Sequence, residues 1–238
     1  MVGLLRSALR KRGVDLRRHT PTSDPYVALV NAAGRLGCDT VLDVGANAGQ
    51  FARLLRGRGW RGGIVSFEPL PEAHARLTET ASGDPLWEVQ PPMALGHTAG
   101  RGELNVSARS ESSSLLPMLA RHERGAPGSA YVATAPVEVR PLFAVIAPHR
   151  RYVLKMDVQG FESEVLAGAA PVLDAIPLVF TEMALQPLYA GEKSYVELSR
   201  ELQDMGYVCI GIWPGYADPT TGEMLQVDAL FARDPGGA

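Results

Sequence analysis

The chain has few cysteines, few aromatic residues and no long apolar run. Its two cysteines, Cys38 and Cys209, lie far apart among 238 residues and lack the paired spacing of a zinc site. This excludes a disulfide framework and a cysteine metal cluster, and two buried thiols in a reducing compartment, the cytoplasm, are expected. No apolar stretch approaches the roughly 20 residues that cross a bilayer, and Arg6 and Arg10 interrupt the apolar start before it resembles a secretory leader. Neither sign of charge dominates: 23 Lys and Arg stand against 26 Asp and Glu, a net charge of −3. That gives no bulk electrostatic reason to expect nucleic acid as a partner. What is present, 46% hydrophobic and 21% charged residues, suits one soluble domain with a full core.

The basic residues gather at the start. Arg6, Arg10, Lys11, Arg12, Arg17 and Arg18, with Leu4, Leu5, Ala8 and Leu9 between them, read as a basic amphipathic helix. A second helix, "SDPYVALVNAAGRLG", follows with an N-cap at Ser23 or Asp24. Residues 1–38 thus read as a helical extension, packing on the domain or on a second copy of the chain. From residue 39 to 235, short β-rich runs alternate with helical stretches: "TVLDV" (40–44), "GGIVSFE" (62–68), "WEVQ", "RYVLKMDV" (151–158) and "IPLVFTEM" (176–183). Strands separated by helices mean βαβ units and a largely parallel sheet covered on both faces. "YVCIGIW" and "VDALFAR" have no helix between them, so one of that pair runs antiparallel. The Ser-, Gly- and Pro-rich stretch over 107–141 is too long for a plain connection and reads as a lid or substrate loop.

"VLDVGANAGQF" places Gly45 and Gly49 directly after the first strand, where an open parallel sheet binds ligands. The turn is not G-x-G-x-x-G: Asn47 stands where a dinucleotide site has the glycine that admits pyrophosphate. Asp43 at the doorway would repel phosphate and attract an ammonium. Glu68, ending the second strand, can accept both ribose hydroxyl hydrogens. A phosphate-free adenosine with a charged amino-acid tail is S-adenosyl-L-methionine. The rival, a nicotinamide-dependent reductase, draws on the Tyr189 and Lys193 spacing, but Pro187 and Gly191 put that pair in a loop.

"VLDVGANAGQF", "VSFEPLPEAHARL", "MALG", "SSSL" and "LKMDVQGFESEVLAGA", in this order from Val41 to Ala169, resemble the FkbM-type family of S-adenosylmethionine-dependent methyltransferases. The resemblance implies a class I methyltransferase fold: a Rossmann-like α/β domain of seven strands, mostly parallel with the last antiparallel, and helices on both faces. It also implies a cofactor set of Asp43, Gly45, Asn47, Gly49, Phe51, Glu68, Pro69, Met93, Ala94, Ser113, Ser114 and Asp157. The family's usual run is D-V-E-G-x-E, whereas this chain carries Gln159 in place of the first glutamate. That keeps the shape but loses a charge, and it is the feature favouring a cofactor-binding module without turnover.

Methyl transfer from a sulfonium is an in-line displacement in which the protein mostly positions the nucleophile, and a hydroxyl acceptor needs a base as well. Asp157 ends the fourth of the main strands, where it could accept the proton; capping the next helix is its competing role. Glu182 ends the next strand at the same rim, and the two could share Mg²⁺. Of the histidines, His122 and His149 flank the lid and either could be the base, His122 being the one grouped with Asp157 and Glu182, while His74 and His97 read as surface residues. Trp213 and Tyr216 could stack on a sugar or pack on the sheet edge. The expected reaction is O-methylation of a small hydroxylated acceptor, a sugar or nucleoside-like moiety of a natural product or glycolipid, with the substrate class implied by the resemblance.

Overall fold

The computed structural model describes residues 9–14, 18–147 and 149–233. Most of the basic helix expected at the start lies outside them. Helix α1 (Pro25–Arg35) is capped by Asp24, whose carboxylate accepts the backbone N–H groups of Tyr26 and Val27, with Pro25 at the first turn. Both features satisfy or remove donors that a helix start leaves free. Among the described residues no helix is long and apolar enough to cross a membrane.

The main sheet has seven strands in the order β3-β2-β1-β7-β8-β10-β9. They are β1 (Thr40–Val44), β2 (Gly63–Phe67), β3 (Trp87–Val89), β7 (Tyr152–Met156), β8 (Leu178–Ala184), β9 (Tyr207–Pro214) and β10 (Gln226–Arg233). Strands β1, β2, β3, β7 and β8 pair in parallel. β10 runs antiparallel to both β8 and β9, so the last strand in sequence is the reversed one, as expected. The chain crosses from β1 through α2 (Gln50–Gly57), from β2 through α3 (Pro71–Ala81), from β7 through α5 (Glu162–Ala169) and from β8 through α6 (Tyr195–Asp204).

β1 is buried along its whole length, as a strand covered on both faces must be. Leu42, Val44, Leu154 and Met156 face Val165, Leu166, Leu198 and Leu202 of α5 and α6. Val41, Ile64, Val153 and Phe180 face Ala32, Phe51, Leu55 and Leu77 of α1, α2 and α3. Each such aliphatic or aromatic side chain contributes about 1.5–3 kcal/mol by leaving water.

A second sheet holds β4 (Ala94–Leu95), β6 (Tyr131–Arg140) and β5 (Gly100–Ser107), in the order β4-β6-β5. The stretch read as a lid loop over 107–141 therefore contains a ten-residue strand, β6, paired antiparallel with β5, and a short helix, α4 (Ala120–Gly125). Pro136 argues against a strand in the sequence. It is tolerated because β4 pairs only with Val139 and Arg140, leaving that flank of β6 open at the proline.

Cys209 is exposed on the edge strand β9 and Cys38 is half-buried, which corrects the expectation of two buried thiols. The edge position takes the cover from Cys209. Tyr189 is buried in a loop while Lys193 pairs with Glu201 at the surface, so these two side chains share no helical face.

Candidate functional site

The turn after β1 carries constraints at three alternate positions, 45, 47 and 49. Gly45 has φ 74°, and a Cβ there would lie 1.9 Å from the carbonyl oxygen of Asp157. Gly49 has φ 87°, and its Cβ would meet the Trp87 ring at 2.8 Å. Asn47, at φ 46°, adopts the left-handed conformation that asparagine tolerates better than most residues. The two glycines are thus demanded by the chain's own packing, against the residue that follows β7 and against β3, as well as by any ligand.

Glu68 closes the turn from the neighbouring strand end. One carboxylate oxygen accepts from Asn47 N at 2.8 Å and the other from Leu70 N at 2.8 Å. Burial pushes the Glu68 carboxyl above its ordinary value, and these two hydrogen bonds oppose the shift. Asn47 reaches across to the lid, with Nδ2 donating to Ser110 Oγ at 3.0 Å.

Between turn, strand ends and lid lies a cleft of about 650 Å³, counting its open mouth. Gly45, Asn47, Glu68, Pro69, Met93, Ala94, Ser113, Ser114 and Asp157 all line it, joined by Val158 and Phe161, which the sequence reading had not singled out. Ser113 and Ser114 are partly engaged by the lid itself: Ser107 N donates to Ser113 Oγ, and Ser114 Oγ donates to Gln159 O. Three members of the expected cofactor set lie elsewhere. Gly49 packs on Trp87. Phe51 lines a chamber on the α1 side with Tyr26, Lys155 and Asp228.

Asp43 is fully buried beneath the turn. Its Oδ1 lies 2.9 Å from Lys155 Nζ, an ion pair without hydrogen-bond alignment, and Ser66 Oγ donates to Oδ2 at 3.3 Å. Lys155 also donates to the carbonyls of Gly45 at 3.0 Å and Val44 at 3.2 Å. Burial alone would lower the lysine, but Asp43 and Asp157 outweigh it and hold the ammonium above its ordinary value. The charge that Asp43 answers is therefore an internal one, and it braces the turn from below.

Asp157 borders the cleft, the α1-side chamber and a third chamber lined by Arg109, His122, Gln159, Glu182, Tyr216 and Gln226. Glu182 sits on the neighbouring strand, with its Oε2 accepting from Gln226 Nε2 at 2.6 Å. Burial, then Asp157 and Asp228, push the Glu182 carboxyl well above the usual range. Asp228, opposite Glu182 in the β8–β10 register, is pushed up to about 6 by burial and then by Asp157.

His122 is buried, with Nδ1 3.1 Å from Ser129 Oγ and its ring 5.1 Å from that of Tyr189. Burial lowers its pKa, which favours a neutral imidazole at pH 7. His149 is exposed and lies outside these chambers, and His74 bonds the carbonyl of Gln90. Trp213 is buried in the sheet, and Tyr216 Oη donates to Gly125 O. Among the described residues no three His, Cys, Asp or Glu side chains converge as a metal cage.

A family model, described as "Methyltransferase FkbM domain", matches residues 43–209. The chain belongs to the FkbM methyltransferase family. The matched span of this FkbM domain runs from the Asp43 floor to the start of β9, so it includes the cleft, the lid and both acid-bearing strand ends. Hexuronic acid methyltransferase AglP of Haloferax volcanii is 28% identical over 146 residues, which are 61% of this chain and 56% of that protein. The FkbM chain thus spans little more than half the length of that relative. A putative tRNA (m1A22) methyltransferase, Sp1610 of Streptococcus pneumoniae, solved in complex with S-adenosyl-L-methionine, has a similar fold at TM-score 0.50 and 10% identity, covering 91% of this chain and 76% of that one. A putative RNA methyltransferase, PH1948 of Pyrococcus horikoshii, gives TM-score 0.46 at 12% identity, covering 88% and 81%. The fold is that of a class I methyltransferase.

Lys155, Gln226, Asp228 and Tyr26 line the chambers and do not stand out in the sequence, while Tyr189, which the sequence suggests only as half of a reductase-type pair, bonds Gln159. Lys155 alone left a signal there: a cation inside an otherwise apolar strand needs a buried partner.

Proposed function

We propose that this chain is an S-adenosyl-L-methionine-dependent O-methyltransferase acting on a hydroxyl of a sugar-like small molecule. The observation that carries the reading is the position of Asp157, which lines both the cleft that Glu68 closes and the chamber that holds His122 and Glu182. Cofactor on one side and acceptor on the other would meet at this carboxylate.

In that arrangement Glu68 would offer its remaining lone pairs to the ribose hydroxyls. Met93, Ala94 and Phe161 would give the adenine apolar contact. S-adenosylmethionine held there would supply a methyl group already activated on sulfur for transfer to an acceptor oxygen. Asp157 takes the hydroxyl proton, and neutral His122 and Glu182 hold the acceptor over the rim. Holding the reactants in line supplies most of the acceleration in such a transfer. A sugar acceptor is supported by the named activity of the relative, a hexuronic acid methyltransferase, and by a chamber of carboxylates and amides suited to hydroxyl groups.

Calorimetry with S-adenosylhomocysteine and transfer of labelled methyl to a panel of sugars, uronic acids and nucleosides test the reading. Glu68→Gln should weaken the product by about tenfold, the value of a charged hydrogen-bond acceptor. Asp157→Asn should cut transfer at least about 100-fold, the usual worth of a positioned base, with little change in product affinity. Absence of S-adenosylhomocysteine binding would remove the reading. Tight binding without transfer to any acceptor would favour a cofactor-binding module.

A further inference from the structure

Gln159 departs from the FkbM pattern, and the structure gives that departure a physical role. Its backbone is left-handed at φ 55°, which turns the side chain back over the ends of β7 and β8. Nε2 donates to Asp157 Oδ1 at 2.6 Å and lies 3.5 Å from Glu182 Oε2. Oε1 accepts from Tyr189 Oη at 2.7 Å, and Gln159 O accepts from Ser114 Oγ at 2.7 Å. The opposite amide orientation would set an oxygen 2.6 Å from the Asp157 carboxylate, acceptor against acceptor, so the network fixes which end faces the acids.

Two carboxylates on adjacent strand ends need something positive or donating between them. A divalent cation can fill that place, and so can an N–H₂ group. We propose that Gln159 is a positioning residue that stands in for a bridging cation: its amide clamps Asp157 against Glu182, so this rim holds no divalent metal. The opposite clamp on Glu182 comes from Gln226. A glutamate at position 159 would replace the donor with a third carboxylate in the same space, an oxygen-only set that suits Mg²⁺ or Mn²⁺. The exchange of one nitrogen for one oxygen converts clamp into cage. The expectation that Asp157 and Glu182 share Mg²⁺ is thereby replaced. The clamp uses the rim of the proposed reaction site, but cation binding is read without cofactor or acceptor, so either reading can fail alone.

Full-length wild type, Gln159→Glu and Gln159→Glu/Glu182→Gln are titrated with MnCl₂, with free Mn²⁺ read by electron paramagnetic resonance and folding by circular dichroism. Wild type should show no saturable site below about 1 mM, the weak end of carboxylate sites. Gln159→Glu should gain one site at least tenfold tighter, and the double variant should lose it. A Gln159→Glu protein that folds only with Mn²⁺ present also supports the clamp. A micromolar wild-type site abolished by Asp157→Asn overturns the proposal. So does a Gln159→Glu protein that binds no better than wild type, or that fails to fold with Mn²⁺ as well as without it.

Discussion

Replacing Lys155 by methionine keeps the stem of the side chain and removes its charge. Asp43, with no exposed surface, would then retain only Ser66 Oγ at 3.3 Å, and the carbonyl of Gly45 would lose its donor at 3.0 Å, while that of Val44 would keep Asp157 N at 3.2 Å. Removing one member of a buried ion pair costs about 3–5 kcal/mol, and the orphaned Gly45 carbonyl about 1 kcal/mol. The sum, roughly 5 kcal/mol, is a large share of the 5–15 kcal/mol a domain has in total. At about 2–4 °C per kcal/mol for this size, Tm should fall by roughly 10–20 °C. Urea unfolding followed by far-UV circular dichroism measures the loss. Lys155→Met/Asp43→Asn, which removes the stranded charge, should recover at least half of it. A Lys155→Met loss below about 1 kcal/mol, or a double variant as unstable as the two single losses added, would refute the bracing role of the pair.

Gly45→Ala should unfold the rim, because its Cβ would lie 1.9 Å from Asp157 O at φ 74°; a loss above about 3 kcal/mol is expected. Gly34→Ala, exposed in α1 with nothing within 4 Å of its Cβ, should instead gain about 0.5–1 kcal/mol, read by the same denaturation curves. Burial and then Glu192 push the Glu162 carboxyl up to about 8, above its unfolded value, so the folded chain holds a proton that the unfolded chain has already released. Wild-type stability should therefore fall as pH rises from about 4.5 to 8, by up to about 1.4 kcal/mol per pH unit. Glu162→Gln, whose carbonyl can still accept from Val158 N, should flatten that slope; an unchanged slope would acquit Glu162.

The strands that carry the site were legible because burial on both faces writes itself as continuous apolar runs: "TVLDV" is β1 residue for residue. The lining of the cleft was legible where chemistry and position coincide, at Gly45, Asn47, Glu68 and Asp157. What escaped depends on contacts between distant segments. Lys155 meets Asp43 across 112 positions, and the need for Gly49 comes from Trp87 on another strand. From the sequence Asp43 reads as the partner of a ligand's ammonium, because a sequence does not show that the nearest cation is the protein's own Lys155. β6 was hidden by Pro136, whose tolerance follows from an open flank that only the sheet order reveals.

A reversed strand brings its beginning, not its end, to the edge where its parallel neighbours finish. β10 enters the sheet there at Gln226, so the hairpin from Gly215 to Leu225 borders the His122 chamber through Tyr216. Tyr216 Oη donates to Gly125 O, Arg121 pairs with Glu223, and Leu225 packs in one apolar cluster with Leu188 and Tyr189, flanked by Met118 and Tyr131. The border of the His122 chamber is thus stitched from two distant stretches of chain. Anything too large for the space within would have to part both seams.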